Sequence, residues 1–92
     1  MGKTLNFNMG DHMGVKEAVV LRFQELCRLH GIRLNELATR SGVTPSTVYS
    51  MVSSRRHDIT MVTIKKLCDG LEIPLTEFFD SPIFENLEQE IQ

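Results

Sequence analysis

The sequence has no tryptophan, one tyrosine, three prolines and two cysteines among its 92 residues. A secreted domain this small is usually held by a denser cysteine framework, so Cys27 and Cys68 point to a reducing cytosol and a fold that needs no disulfide. No apolar run is long enough to cross a bilayer, and the N-terminus lacks the basic region, apolar run and small-residue cleavage site of a secretory signal. A cytoplasmic protein without membrane contact is expected. A glycine-rich phosphate loop and a nucleophile motif are also missing, which argues against catalysis. Cys27, His30, His57 and Cys68 are zinc-type ligands, but their spacing is wrong for a site. Both cysteines lie on apolar helical faces, where free cysteine is an ordinary core residue. The chain therefore reads as a non-enzyme with no cofactor and no metal.

Positive charge is scarce overall, with a net charge of -2, yet it is unevenly distributed. Residues 16 to 79 carry nine Lys/Arg against seven acids, an excess of two positive charges. The acidity belongs to the end of the chain, where Asp80, Glu85, Glu88 and Glu90 stand without a basic neighbour. The middle is mildly basic, a weak form of the charge pattern expected of a nucleic-acid binder.

Hydrophobic residues, at 41%, are ordinary for one small globular domain. Residues 1–14 form a leader expected to be disordered, since residues 1–12 have no apolar period and no helix-start signal. His12-Met13 is the dipeptide that a common cloning site encodes before a start codon. The segment is thus either an expression leader, with Met13 the native start, or a genuine extension. Val19, Phe23, Leu26, Cys27 and His30 then recur at helical spacing and predict a first helix over about 16–30, stopped by Gly31. Leu34, Leu37, Ala38 and Ser41 predict a second over about 34–41, stopped at Gly42. Thr44-Pro45 is a cap followed by a first-turn proline, which starts a third at 45–53.

Thr60 can cap a fourth helix on the face Met61, Ile64, Leu67, Cys68 and Leu71, with Gly70 weakening its end. Pro74 suits the first turn of a last short helix containing Leu75, Phe78 and Phe79. Five helices and no strand pattern make an all-α fold over residues 15–80. In the acidic tail, 81–92, Phe84, Leu87 and Ile91 can line a sixth short helix. Those side chains have two uses: covering the domain's own core or forming a dimer contact.

Residues 34–52, LNELATRSGVTPSTVYSMV, place a short helix, a tight turn at Gly42 and a second, capped helix in succession. Ala38 is small enough to let the third helix cross the second, and Gly42 permits the turn. Val43, Val48 and Met51 anchor the pair, with Val52 expected on the same side of the third helix. With TMVTIKKLCDGLEIPLTEFF at 60–79, this arrangement resembles the Cro/CI (XRE-like) helix-turn-helix family over residues 16–79. The resemblance implies a five-helix lambda-repressor-like domain whose third helix enters the major groove of double-stranded DNA.

Carried onto this sequence, it makes Pro45, Ser46, Tyr49 and Ser50 base-contact candidates. Thr44, Thr47, Arg40, Arg55, Arg56 and Lys65 become phosphate candidates, with His57 and Lys66 in the same basic surroundings. Leu34 departs from the family, in which a glutamine often holds a phosphate here, and Ser53-Ser54-Arg55 replaces the common Asn-Gly-Lys loop while keeping a cation. No Arg, Asn or Gln on the outer face of the third helix offers a bidentate base contact. Specificity is therefore expected from methyl contacts by Pro45 or Thr47, from water and from DNA shape. A sequence-specific regulator, a repressor acting as a homodimer, is the leading expectation. An antitoxin or adaptor working through a protein partner is the alternative, favoured by the weak base-reading chemistry and the negative net charge.

Overall fold

The computed structural model describes residues 13–53 and 58–91. Among these described residues five α-helices follow one another: α1 (Val15–His30), α2 (Leu34–Arg40), α3 (Pro45–Val52), α4 (Met61–Leu71) and α5 (Leu75–Phe79). A single 3₁₀ turn, Pro82–Phe84, comes after them, and no strand occurs among the described residues.

The helix starts follow from local chemistry. Thr44 Oγ1 accepts from the Thr47 N–H at 3.3 Å, and Thr60 Oγ1 accepts from the Thr63 N–H at 3.1 Å, each satisfying a donor that the first helical turn leaves unpaired. Glu17 and Glu36 reach back to the N–H groups of Gly14 and Arg33. The turn between α2 and α3 puts Gly42 at φ 73°, a left-handed conformation that a side chain disfavours.

Apolar faces of all five helices meet in one core built on Phe23, Leu37, Leu67, Cys68 and Phe78, each at most 0% exposed. The Phe23 and Phe78 rings lie 4.3 Å apart between centroids. Arg22 ties α1 to the end of α5, donating to the carbonyls of Phe78 (2.7 Å) and Glu77 (2.9 Å) and pairing with Glu25 at 2.9 Å. Carbonyls at a helix C-terminus lack partners within the helix, and a cation suits the negative end of its dipole.

Several residues depart from the expected helical faces. His30 has the right angular position for the core but is exposed together with Arg28 and Leu29, because the last turn of α1 extends past its last buried residue, Cys27. Met61 is 54% exposed, standing in the first turn of α4 before that helix reaches the core. Gly70 lies one residue inside the end of α4. The helix continues through it to Leu71 and is closed by Glu72 in a left-handed conformation. Pro74 is the cap of α5 and not part of its first turn.

Gly70 has a different use. A methyl group on it would lie 2.0 Å from Ser41 Oγ, 3.0 Å from Leu37 Cδ1 and 3.2 Å from Ser41 Cβ, so the glycine sets how closely α4 approaches α2. Ser41 Oγ is buried in this seam with no hydrogen-bond partner.

No sixth α-helix forms in the tail. Its 3₁₀ turn brings Phe84 to 5.0 Å from Phe79 and 5.8 Å from Phe78 between ring centroids. The Glu88 N–H then donates to the Met13 carbonyl at 2.9 Å, and Ile91 is exposed. Proline at the start and an acidic sequence with few apolar residues leave too little buried face to sustain another helix.

Three stability changes follow, all measurable by urea unfolding. Gly70→Ala should destabilise by about 1–2 kcal/mol, overpacking outweighing the gain in helix propensity. Ser41→Ala should stabilise by about 1 kcal/mol by removing an unpaired buried hydroxyl. Phe84→Ala should cost about 1–2 kcal/mol, less than a fully buried phenylalanine because the ring is half-buried.

Candidate nucleic-acid interface

Two turns of helix make up α3, held from one side only. Val48 and Met51 are buried against the core, whereas Ser46 and Tyr49 are exposed and Ser50 is half-buried. Val52, expected beside Val48 and Met51, is instead 50% exposed. At about 100° per residue it is turned from Val48 in the direction of Tyr49, while Met51 is turned the opposite way. The buried arc therefore spans Met51 to Val48 and leaves Val52 at its edge.

Hydroxyl groups dominate the start of this helix. Thr44 Oγ1 lies 3.0 Å from Thr47 Oγ1 and 3.2 Å from Ser46 Oγ, so three hydroxyls surround the end where backbone N–H groups point outward. The dipole of α3 makes this end partly positive. A hydroxyl both donates and accepts, so this cluster can exchange its internal bonds for bonds to phosphate or to base edges.

A shallow concavity runs between α2 and α3. Pro45, Tyr49 and Val52 form its α3 side, and Asn35, Ala38 and Thr39 form its α2 side. The sequence reading did not include Asn35, Thr39 or Val52 in the interface. The signal available for the first two was their i, i+4 spacing on the polar side of the second helix. Thr39 Oγ1 is occupied by the Asn35 carbonyl at 3.0 Å, so the exposed Asn35 amide is the more available polar group on that wall. On the opposite flank of α3, Thr47 and Ser50 line a notch with Asp58 and Thr63, which places a carboxylate near two of the candidate residues.

The structure brings Thr44, Pro45, Ser46, Thr47, Tyr49 and Ser50 together along α3 and its cap. It places the two described basic candidates elsewhere. Arg40 extends from the end of α2 to the Gly70 carbonyl of α4 at 3.4 Å, and Lys65 pairs with Asp69 one turn along α4. Both remain exposed, and exposed pairs of this kind contribute little and exchange readily. Arg55, Arg56 and His57 lie outside the described residues.

The two cysteines are at 4% and 0% exposure. Burial pushes the Cys27 thiol above its ordinary pKa and, with a contribution from the Asp69 charge, raises Cys68 to about 11. Both are thus protonated core residues at neutral pH, where a metal ligand or redox nucleophile requires the thiolate. No group of three or more His, Cys, Asp or Glu suited to a metal ion occurs among the described residues. No helix among the described residues is long and apolar enough to cross a membrane.

Comparison with known proteins agrees with this geometry. The crystal structure of the prophage Lp1 protein 11 superposes with a TM-score of 0.73 at 34% sequence identity, covering 76% of this chain and 92% of that one. No curated protein matches the chain. A family model for the Cro/C1-type HTH DNA-binding domain matches residues 22–82, a span that contains α2, α3, α4 and α5 whole. The chain belongs to the Cro/C1-type helix-turn-helix DNA-binding family.

Proposed function

We propose that the protein is a sequence-specific transcriptional repressor that inserts α3 into the major groove of an operator. The observation that carries this reading is α3 itself, capped by Thr44, anchored by Val48 and Met51, and presenting Ser46 and Tyr49 outward. A short polar helix in that attitude fits the groove with its N-terminal half directed at the bases. Pro45, Ser46, Tyr49 and Ser50 are the base-contacting residues. Thr44 and Thr47 hold the flanking phosphates, joined by Arg40, Lys65 and the Arg55-Arg56 pair. For Arg40 and Lys65 this means exchanging a weak internal contact for a phosphate.

So small a module gains affinity most economically by pairing. In a homodimer, two copies of α3 about 34 Å apart read successive major grooves of a pseudo-palindromic site. The operator preference then comes from the methyl groups of Pro45 and Thr47, from the hydroxyls, and from the shape of the duplex more than from bidentate contacts.

The deciding experiment is selection of bound sequences from random duplex DNA at two salt concentrations, in parallel with a Ser46→Glu/Ser50→Glu variant. A recurrent two-half-site motif that the variant loses is the expected result. Absence of any enriched motif, or equal binding by the variant, would transfer preference to a protein-interaction role. With about six phosphate contacts per dimer, affinity for the selected site should fall about a thousandfold between roughly 50 and 200 mM salt.

A further inference from the structure

Lys16 is 5% exposed, the one buried charged side chain among the described residues. Its burial is unusual, since lysine ordinarily keeps its ammonium in water even when its stem is covered. The partner explains the position: Lys16 Nζ donates to the Ser53 carbonyl at 2.5 Å. Ser53 is the C-terminal cap of α3. A cation from the first turn of α1 therefore holds the far end of the helix that faces DNA.

At that end Lys16 meets the negative pole of the α3 dipole. The helix closes with Ser53 in an extended conformation, φ -75° and ψ 129°, without the left-handed residue that satisfies terminal carbonyls at Gly31 or Glu72. Beyond Met51 its apolar anchoring stops, and Val52 is half exposed. The start of α3 is fixed by its cap, and Met51 holds its last turn in the core. An ammonium bonded to the Ser53 carbonyl at the negative end of the helix dipole adds a directional hold on that same turn.

We infer that Lys16 is a positioning residue for DNA recognition: bonded to the Ser53 carbonyl, it sets the angle at which α3 meets the major groove without itself touching DNA. This rests on the operator reading above. Displacements of about an ångström at a polar interface are enough to break base-edge hydrogen bonds, whereas phosphate contacts, made by flexible side chains, tolerate them. Losing Lys16 should therefore reduce specific binding more than nonspecific binding.

The test compares wild type, Lys16→Met and Lys16→Arg on the selected operator and on random-sequence duplex across a salt series. Circular dichroism identifies conditions in which all three are folded. The Met variant should bind the operator at least about tenfold more weakly, the equivalent of one charged hydrogen bond. Its binding to random DNA should change less than about twofold, its salt slope should match wild type, and arginine should restore most of the loss. Unchanged operator affinity, equal loss on both DNAs, or a slope reduced by about one, which marks a phosphate contact, would each overturn the inference.

Should the Met variant not fold, lysine ammonium signals in the wild-type protein give a second measurement. A ¹H–¹⁵N resonance of Lys16 protected from water exchange is expected, and rapid exchange like that of the surface lysines would overturn the contact. A wild-type chain that selects no motif would defeat the operator reading itself, and with it the role of Lys16, while the ammonium signal would still report whether the bond to Ser53 exists.

Discussion

Where α2 and α4 come together, the side chains of Ser41 and Leu37 lie so close to Gly70 that α4 cannot carry one more methyl group there. Much of the interface depends on that distance. The helix α3 has few buried residues of its own and is positioned by the helix before it across the Gly42 turn. If α4 stood further off, α2 would settle differently on Leu37 and Leu67, and α3 would tilt with it. The buried hydroxyl of Ser41, left without a partner in the seam, gives up stability at this approach.

The framework was legible because its signals are local. Helical periodicity, Thr44-Pro45, Thr60 and Gly42 mark where elements begin and turn, and each acts within a few residues of itself. Legibility failed where the answer depends on an element distant in sequence. Gly70 reads only as a weak spot near the end of its helix until Ser41 is set against it, and His30 reads as core until the helix is seen to outrun its neighbours. The tail has enough apolar spacing to suggest a helix, but Phe84 finds the aromatic cluster of Phe78 and Phe79 instead, and a single turn suffices to deliver it.

The interface shows the same division. Its hydroxyl-rich start and exposed Tyr49 follow from the cap and from the angle between successive residues. The contribution of α2, through Asn35 and Thr39, and the edge position of Val52 emerge only when two helices are packed. Lys16 was invisible for a related reason. A lone lysine at a helix start looks like solvated charge, and its acceptor, a backbone carbonyl 37 residues away, carries no side-chain signature.

The Arg22 clamp also bears on how the chain is made. Arg22 emerges early in synthesis, but the carbonyls it bonds belong to Glu77 and Phe78, and Phe23 waits for the same phenylalanine. The first helix therefore cannot complete its packing until nearly the whole domain has been translated. Helices α2 and α3 leave the ribosome well before that point with their apolar faces unburied. Acquisition of a rigid α2–α3 surface is thus tied to the synthesis of α5, and a chain released before α5 lacks the contacts that hold α1 in place.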